Sequence, residues 1–380
     1  VPGARITVQT AIRRSPRVQQ VEGIFDLPPA PLTELSWDVN LPLDERGWNI
    51  GLIVGPSGCG KSTVARTLFA DSWTAIANFP PWPEDASVLD SFPVDMPIKT
   101  VVSLLSSVGF SSPPAWLRPF RALSTGEQFR VTLARLLALA PNIAVMDEFT
   151  SVVDRSVARI GSAALAKTVR ALERRFVAVT CHEDIEEWLQ PDWIYRPATD
   201  NFAWRFLQRR PPIQLDIYRC RLEAWQLFRR YHYLSSDIHP RAQAFFALWG
   251  GKPVAFSAWI NALVKYGGKR EHRTVTLPDF QGVGIGHALS NFCASLWRGL
   301  GFRALSTTTH PAFIAARLKS PHWRLLRAPS LVAVSAKRSR EDLKHAHTRL
   351  TTGFEYIGLP LDRPTAARIL AGSPPAPAKK

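Results

Sequence analysis

The stretch WNIGLIVGPSGCGKSTVARTLFA, residues 48–70, decides the fold. A β-branched apolar run ends at Gly55, PSGCGKST follows, and VARTLFA continues with helical spacing. Strand, glycine-rich loop and helix N-terminus in this order fit G-x-x-x-x-G-K-[ST], whose physics is anion capture by backbone N–H groups. Gly55, Ser57, Gly58 and Gly60 let the chain wrap a β-phosphate. Lys61 is placed to neutralise the β- and γ-phosphates, Ser62 to ligate Mg²⁺, and Thr63 to reach the α-phosphate side.

Four further segments follow in order. LSTGEQFR (123–130) precedes IAVMDEFT (143–150), a buried-type strand ending in two carboxylates; SVVD (151–154) and FVAVTCHED (176–184) complete the set. Asp147 at the strand end can hold the hydration shell of Mg²⁺, and Glu148 can polarise an attacking water. Over residues 50–185 the five motifs together resemble the ATPase domain of the ABC superfamily. That resemblance implies that Ser124 and Gly126, in the segment Ser124-Thr125-Gly126-Glu127, cap the ATP of a second protomer. It also implies that Asp154 lies at a dimer interface, that His182 senses the γ-phosphate, and that the chain forms a head-to-tail homodimer in the presence of ATP.

Two departures qualify the likeness. The interval from Thr63 to Glu127 contains no glutamine, so the loop glutamine of the family has no counterpart, and a Pro-rich stretch, FPPWPEDASVLDSFPVDMP, occupies the place of a helical insertion. Phe25, Trp37 and Trp48 are the aromatic candidates for an adenine; core packing explains each equally well.

Charge divides the chain. Residues 1–200 hold 19 Lys+Arg against 22 Asp+Glu, a net of −3, whereas residues 201–380 hold the remaining 28 against 9, a net of +19. A surplus of this size suits a polyanion bound through phosphate contacts, so DNA or RNA is the expected partner of residues 211–380. Four dispersed cysteines without CxxC pairing argue against a disulfide framework or a zinc site. No run of about 20 apolar residues and no signal-like apolar region occurs, and a cytoplasmic protein that does not enter the membrane is expected.

The Pro-Pro break in RPPIQLDIYRC (210–220) changes the texture, and the expected division is 1–210, 211–360 and a Pro/Ala/Lys-rich, disordered tail at 361–380. After the break, RLEAWQLFRRYHYL reads as an amphipathic helix, and AQAFFALWGGKPVAFSAWIN (242–261) as a hairpin turning at Gly250-Gly251. REHRTVTLPDFQGVGIGHALSNFCASLWRGLG (270–301) then combines a strand ending near Leu277, a second glycine turn and a helix. GxGxxG fails here, which disfavours a dinucleotide site.

The segment Gln281-Gly282-Val283-Gly284-Ile285-Gly286, between strand and helix, resembles the acyl-CoA pyrophosphate loop of the GNAT acyltransferases, with Gln281, Gly284 and Gly286 on its consensus. The order of elements over roughly residues 212–330, including a strand at RALSTTT (303–309) and a helix at PAFIAARLK (311–319), is similar to theirs. The resemblance implies acetyl-CoA or another acyl-CoA as substrate. The tyrosine many members use as acid has no counterpart; Arg317 and Ser320 stand near its place.

Acid–base candidates are Glu271, His272 and His310. Tyr231, His232 and Tyr233 in YHYLSSDIHPR could stack on a base or pack a helix end. The expectation is therefore an α/β protein: a P-loop, ABC-type ATPase domain followed by a GNAT-like mixed α/β acyltransferase domain. Its expected activity is ATP hydrolysis joined to acylation of a base in DNA or RNA. Two alternatives stand beside it: an ATP-gated nucleic-acid clamp whose acyltransferase fold has lost its chemistry, and an acyltransferase for a protein or small-molecule amine.

Overall fold

The computed structural model describes residues 4–29, 32–140, 142–205, 210–232, 237–264, 267–331 and 350–372. The chain begins with β1 (Ala4–Ala11), α1 (Pro16–Phe25), β2 (Leu32–Val39), β3 (Ile50–Val54), α2 (Lys61–Leu68) and α3 (Ala70–Ala77). It continues through α4 (Ile98–Ser107), α5 (Pro113–Trp116), α6 (Thr125–Leu139), β4 (Ile143–Met146), α7 (Arg155–Ala171), β5 (Arg175–Thr180), α8 (Glu186–Leu189), β6 (Trp193–Arg196) and β7 (Asn201–Trp204). The remainder is β8 (Asp216–Cys220), β9 (Gln243–Trp249), β10 (Lys252–Ala262), β11 (Gly268–Thr276), α9 (Ile285–Gly299), β12 (Arg303–Thr308), α10 (Pro311–Lys319), β13 (Trp323–Leu331), β14 (Leu350–Tyr356) and α11 (Arg363–Ala371).

Two compact units result, and they do not divide at a single point of the sequence. The first comprises residues 1–80, 139–152 and 169–210, the second residues 81–138, 153–168 and 211–380. One boundary falls between Arg210 and Pro211, and the helical segments carrying Ser124 and Asp154 belong to the unit that holds the second sheet.

The first unit is built on a five-stranded sheet in the order β4-β5-β3-β6-β7, parallel except for β7. Every residue of β3 is buried, as a strand covered on both faces requires. Gly51 is obligatory for a packing reason, since a Cβ there would lie 2.0 Å from the Trp193 ring. That indole meets Trp48 edge-on at 5.5 Å and stacks over Phe69. The Asp192 carboxylate accepts the N–H groups of Asn49 and Ile50, both at 2.8 Å, and so fixes where β3 begins.

The second unit contains a seven-stranded sheet, order β13-β14-β12-β11-β10-β9-β8. The hairpin turn is the expected one, with Gly250 at φ 56° and Gly251 at φ 78°, the left-handed pair that a two-residue turn needs. Among the described residues of this sheet only β11 and β12 run parallel, and their pairing is confined to Gly268–Arg303, Lys269–Ala304 and Arg270–Leu305. Beyond Leu305, β12 keeps its antiparallel pairing with β14 while β11 stays with β10, so the two parallel strands part. Helix α9 covers the sheet, burying Leu289, Cys293, Leu296 and Trp297 with Trp259 and Phe245.

Two expectations are corrected. Instead of an amphipathic helix, residues after Cys220 form short 3₁₀ turns at Leu222–Leu227 and Arg229–Tyr231. Trp225 and Phe228 lie three apart, a spacing that a 3₁₀ turn places on one side, and both are buried against Phe256 in a small core. The tail is not structureless from residue 361. Helix α11 is capped by Asp362, whose carboxylate accepts the N–H of Thr365; it buries Ala366 and Ile369 and ends at Gly372 in the left-handed region. Residues 373–380 lie outside those described.

Gly51→Val should lower the thermal midpoint sharply or leave the chain insoluble, because overpacking a closed core costs about 1–3 kcal/mol or more. A midpoint equal to that of the unaltered protein would contradict the packing assigned to Trp193.

Candidate functional site

The first glycine loop leaves β3 and enters α2 through Gly58 (φ 82°) and Gly60 (φ 91°), the second being the residue on which the helix starts. Ser62 and Thr63 lie in the first turn of α2. The Lys61 ammonium turns back over the loop and donates to the carbonyl of Pro56 at 2.7 Å. Trp37 of β2 buttresses the loop: its indole N–H donates to the carbonyl of Cys59 at 3.1 Å, and a Cβ on Gly60 would lie 2.3 Å from its ring. Of the three aromatic candidates, Trp37 is thus the loop support, Trp48 belongs to the core, and Phe25 is exposed at the end of α1.

The sheet order brings β4, β5 and β3 side by side and parallel, so their C-terminal ends share one edge with this loop. Asp147 and Glu148 follow β4, and His182 follows β5. Glu148 has φ 50° and Thr150 φ 69°. A β-branched residue in the left-handed region is an outlier that costs about 1–3 kcal/mol and tends to mark functional turns. The Asp147 carboxylate accepts the Glu148 N–H at 2.9 Å, and Glu148 accepts the Ser151 hydroxyl at 2.6 Å. The N–H of His182 donates to the Thr180 hydroxyl at 3.2 Å, leaving its half-exposed ring at the edge. Among the described residues no group of three His, Cys, Asp or Glu side chains could hold a metal. A site for Mg²⁺ here fits the loop only as Ser62 and Asp147 completed by phosphate oxygens and water, the usual habit of that ion.

In the second unit Ser124 opens α6 as a reciprocal cap. Its N–H and hydroxyl donate to the Glu127 carboxylate at 2.9 and 3.0 Å, and its hydroxyl accepts the N–H of Glu127 at 3.4 Å. Gly126 lies within the first turn. Asp154 precedes α7, and its carboxylate accepts the N–H of Ser156 at 2.8 Å, which holds its pKa below the ordinary carboxylate value.

The second glycine loop, like the first, leads into its helix through two glycines of positive φ. Gly282 stands at φ 93°, and α9 starts on Gly284 at φ 91°. The Gln281 side chain is locked at both ends, its amide donating to the carbonyl of Thr276 at 2.8 Å and its oxygen accepting the N–H of Ser111 at 2.7 Å. Gly286 allows α9 to approach β11, since a Cβ there would lie 2.7 Å from the Thr276 hydroxyl.

Arg130, which sequence reasoning passed over, supports this loop from α6. The side chain is 0% exposed and donates to the carbonyls of Asp279 (2.8 Å), Val108 (3.2 Å) and Gln281 (3.3 Å). Burial lowers its pKa to about 10, partly offset by Asp279, so it stays charged at neutral pH. The only sequence signal was an arginine set between the apolar Phe129 and Val131, on a helix that also carries Glu127, Gln128 and Arg135.

The acid–base candidates separate. Burial works against the charged form of Glu271, but Arg317 at 2.7 Å and the hydroxyls of Ser306 and Thr274, each at 2.6 Å, prevail and bring its pKa to about 2. A carboxylate so saturated accepts no proton near neutrality and makes a poor general base. Arg317, standing where a tyrosine was sought, is 1% exposed, also donates to Ser290, and lies over the Trp323 ring at 4.2 Å. Together Glu271, Ser306, Ser290 and Arg317 link β11, β12, α9 and α10 beside the point where the two strands part.

His272 is the extra residue of a bulge, because Ala258 pairs with Arg273 and Trp259 with Glu271. Bulges re-aim side chains near sites. Its Nε2 accepts the N–H of His239 at 3.2 Å, and burial, then Arg273 and Arg270, lower its pKa to about 4. His310 caps α10 and meets the carbonyl of Ser111 through Nε2 at 3.1 Å, with burial lowering its pKa. Tyr231 lies under the guanidinium of Arg230, and His232 is buried edge-on to Trp225. Tyr233 lies outside the described residues.

No protein-family model matches the chain. In structure it is similar to an ATP-binding cassette solved as a dimer in a post-hydrolysis state with ADP and phosphate, at 20% identity and a TM-score of 0.34 over 42% of this chain and 86% of that one. It is similar to cbiO1 from Clostridium perfringens, part of an ABC transporter complex, at 18% identity and a TM-score of 0.31, over 43% of this chain and 77% of that one. An acetyltransferase of Bacillus subtilis in complex with CoA matches at 12% identity and a TM-score of 0.30, over 38% of this chain and all 100% of that one. By strand order and direction the chain is an α/β protein with one mainly parallel sheet, which carries the first glycine loop, and one mixed sheet, which carries the second. Among the described residues no helix is long and apolar enough to cross a membrane.

His287, whose pKa burial and then Arg317 lower to about 4, supplies a pH test. Its folded pKa lies below the unfolded value of about 6.5, so the unfolded chain binds more protons between these values. The stabilisation is complete above about pH 6.5 and is lost as pH falls toward 4. His287→Gln should therefore flatten the decline of the thermal midpoint across this window; an unchanged slope would show that the imidazole is not held neutral.

Proposed function

We propose that the chain is a fused enzyme in which an ABC-type ATPase controls a GNAT-like acyl-CoA-dependent transferase acting on a base in DNA or RNA. The observation that carries this reading is the second anion loop, Gln281–Gly286, set where two parallel strands separate. Backbone N–H groups at the start of α9 offer donors to a pyrophosphate. The backbone pairing of β11 with β12 ends at Arg270 and Leu305, and the two strands go on with different neighbours. An extended acyl-CoA arm, with amides of its own, suits that opening.

In the ATPase half, Gly55, Ser57, Gly58 and Gly60 shape the donors, Lys61 balances phosphate charge, and Ser62 with Asp147 would hold Mg²⁺. Magnesium would supply charge neutralisation on the β- and γ-oxygens. Glu148 polarises the attacking water, and His182 donates toward the γ-phosphate. Ser124, Gly126 and Asp154 complete the site of a second protomer in a head-to-tail dimer.

In the transferase half, Gln281, Gly282, Gly284 and Gly286 form the loop. An amine of the acceptor attacks the thioester carbonyl, the C–N bond forms, the C–S bond breaks, and the thiolate leaves to be protonated by solvent. The amine proton passes to solvent, since His272, with its pKa lowered to about 4 and its Nε2 accepting the His239 N–H, is also a weak base at neutral pH. Arg229, Arg230, Arg241, Arg270 and Arg273 occur in the segments around His239 and His272, and with the net charge of +19 over residues 201–380 they favour a nucleic-acid acceptor.

A second reading, an ATP-gated nucleic-acid clamp without transfer chemistry, is favoured by one observation: Glu271 and Arg317 are spent on each other. Radiolabelled acetyl-CoA, supplied with and without ATP before DNA, RNA and protein are separated, distinguishes the two. Label entering a nucleic acid in an ATP-sensitive manner supports transfer to a base. Acetyl-CoA binding with label in protein alone would overturn the acceptor class, and no binding at all would leave the clamp.

Two substitutions test the loops separately. Glu148→Gln should trap an ATP-bound dimer and Lys61→Ala prevent it, as read by sedimentation; monomers from both would sink the dimer reading. Gly284→Glu, which brings a carboxylate to the second loop in a left-handed position, should weaken CoA binding at least about 100-fold by calorimetry while ATP binding persists. Undiminished CoA affinity would remove the role assigned to that loop.

A further inference from the structure

We propose that Arg130 is a positioning residue that couples the two phosphate-binding functions, so that nucleotide engagement at Ser124–Gly126 and acyl-CoA binding at Gln281–Gly286 change one another's affinity. The inference rests on the functional reading of both segments given above.

The acyl-CoA loop is supported by the helical segments of the ATPase sequence that cluster with it in the second unit. Arg130 donates to the carbonyls on both sides of Phe280, those of Asp279 and Gln281, and to that of Val108 after α4. Ser111 donates its N–H to the Gln281 side chain, while its carbonyl meets His310. Gly282 and Gly109 approach so closely that a Cβ on Gly282 would lie 2.9 Å from the Gly109 Cα and 2.8 Å from the Ala164 methyl.

Gly126 lies four residues before Arg130, hence on the same face of α6. A Cβ on Gly126 would come within 2.9 Å of the Asp279 carboxylate. Both ends of the Gly126–Arg130 turn therefore abut Asp279, the residue from which the acyl-CoA loop departs.

A helix turn is stiff, and a close-packed core shifts between discrete arrangements rather than stretching. Phosphate arriving at Gly126 brings negative charge toward Asp279, a carboxylate whose pKa burial raises, Arg130 partly lowers, and Glu127 and Asp154 raise further. Movement of Asp279 must pass through the Arg130 hydrogen bonds to Gln281. Linkage then makes the effect reciprocal: whatever ATP does to CoA affinity, CoA does to ATP affinity.

The test uses the full chain carrying Glu148→Gln, with ATP and CoA as probes in calorimetry. The expected result is a change of about fivefold or more in the Kd of CoA when ATP is saturating, matched by an equal change in the Kd of ATP when CoA is saturating. Arg130→Lys keeps the charge but loses the fork that reaches three carbonyls, and should reduce the coupling to less than about twofold. Because a buried arginine can be needed for folding, Asp279→Asn is the second variant. It keeps the backbone carbonyl, and should change the coupling while CoA affinity without ATP stays within about twofold. Hydrogen exchange at residues 278–284 should change on adding ATP alone.

Binding of both ligands with unchanged Kd values and unchanged exchange would overturn the coupling while leaving the two sites standing. Failure of CoA to bind at all would instead overturn the acyl-CoA reading, and the coupling with it.

Discussion

A helix that begins on a left-handed glycine exposes its first N–H groups without a side chain in front of them, and this chain does so twice with nearly the same backbone. Gly60 has φ 91° and ψ 8°, Gly284 φ 91° and ψ 6°. Each follows a strand and starts a helix whose dipole points its positive end at the loop. The two sheets differ in direction and order, yet both must deliver a strand end to such a helix start. Much of the local packing serves that requirement: Trp37 under the first loop, Ser111, Thr276 and Arg130 around the second.

Buried ionic groups hold the second sheet in register with its loop. Arg317 and Glu271 are both nearly inaccessible, and such a pair persists only when the remaining donors and acceptors are also met. Ser306, Ser290 and Thr274 meet most of them, while the Arg317 Nε has no partner among the described residues. The same arrangement removes Glu271 from acid–base service and explains why an arginine can occupy α10 where a tyrosine was sought. Arg130 follows the same logic with backbone carbonyls in place of a carboxylate.

The glycine pattern, the strand-end carboxylates and the hairpin at Gly250-Gly251 were legible because each is local: a few adjacent residues, one backbone conformation, one period. The turns at Leu222–Leu227 were misread as helix because the apolar spacing of Trp225 and Phe228 suits either period, and packing on Phe256 decided between them. Helix α11 was hidden by the Pro- and Ala-rich composition around it, although Asp362 and Gly372 mark its ends. Candidate site residues fared by the same rule. Gln281 and the glycines declare themselves by spacing, whereas the fate of Glu271 depends on Arg317, 46 residues away.

By itself the sequence determined the two glycine loops, the strand and helix that flank each, and the concentration of positive charge in residues 201–380, since these follow from residue type and near-neighbour geometry. Only the tertiary structure decided that the segments carrying Ser124 and Asp154 cluster with the second sheet, that β11 and β12 part after three paired residues, and that Arg130 holds the loop before α9. The reason is physical. Burial, pairing and the partner of a charged group are set by residues distant in the chain, whose approach is decided by packing and not by spacing.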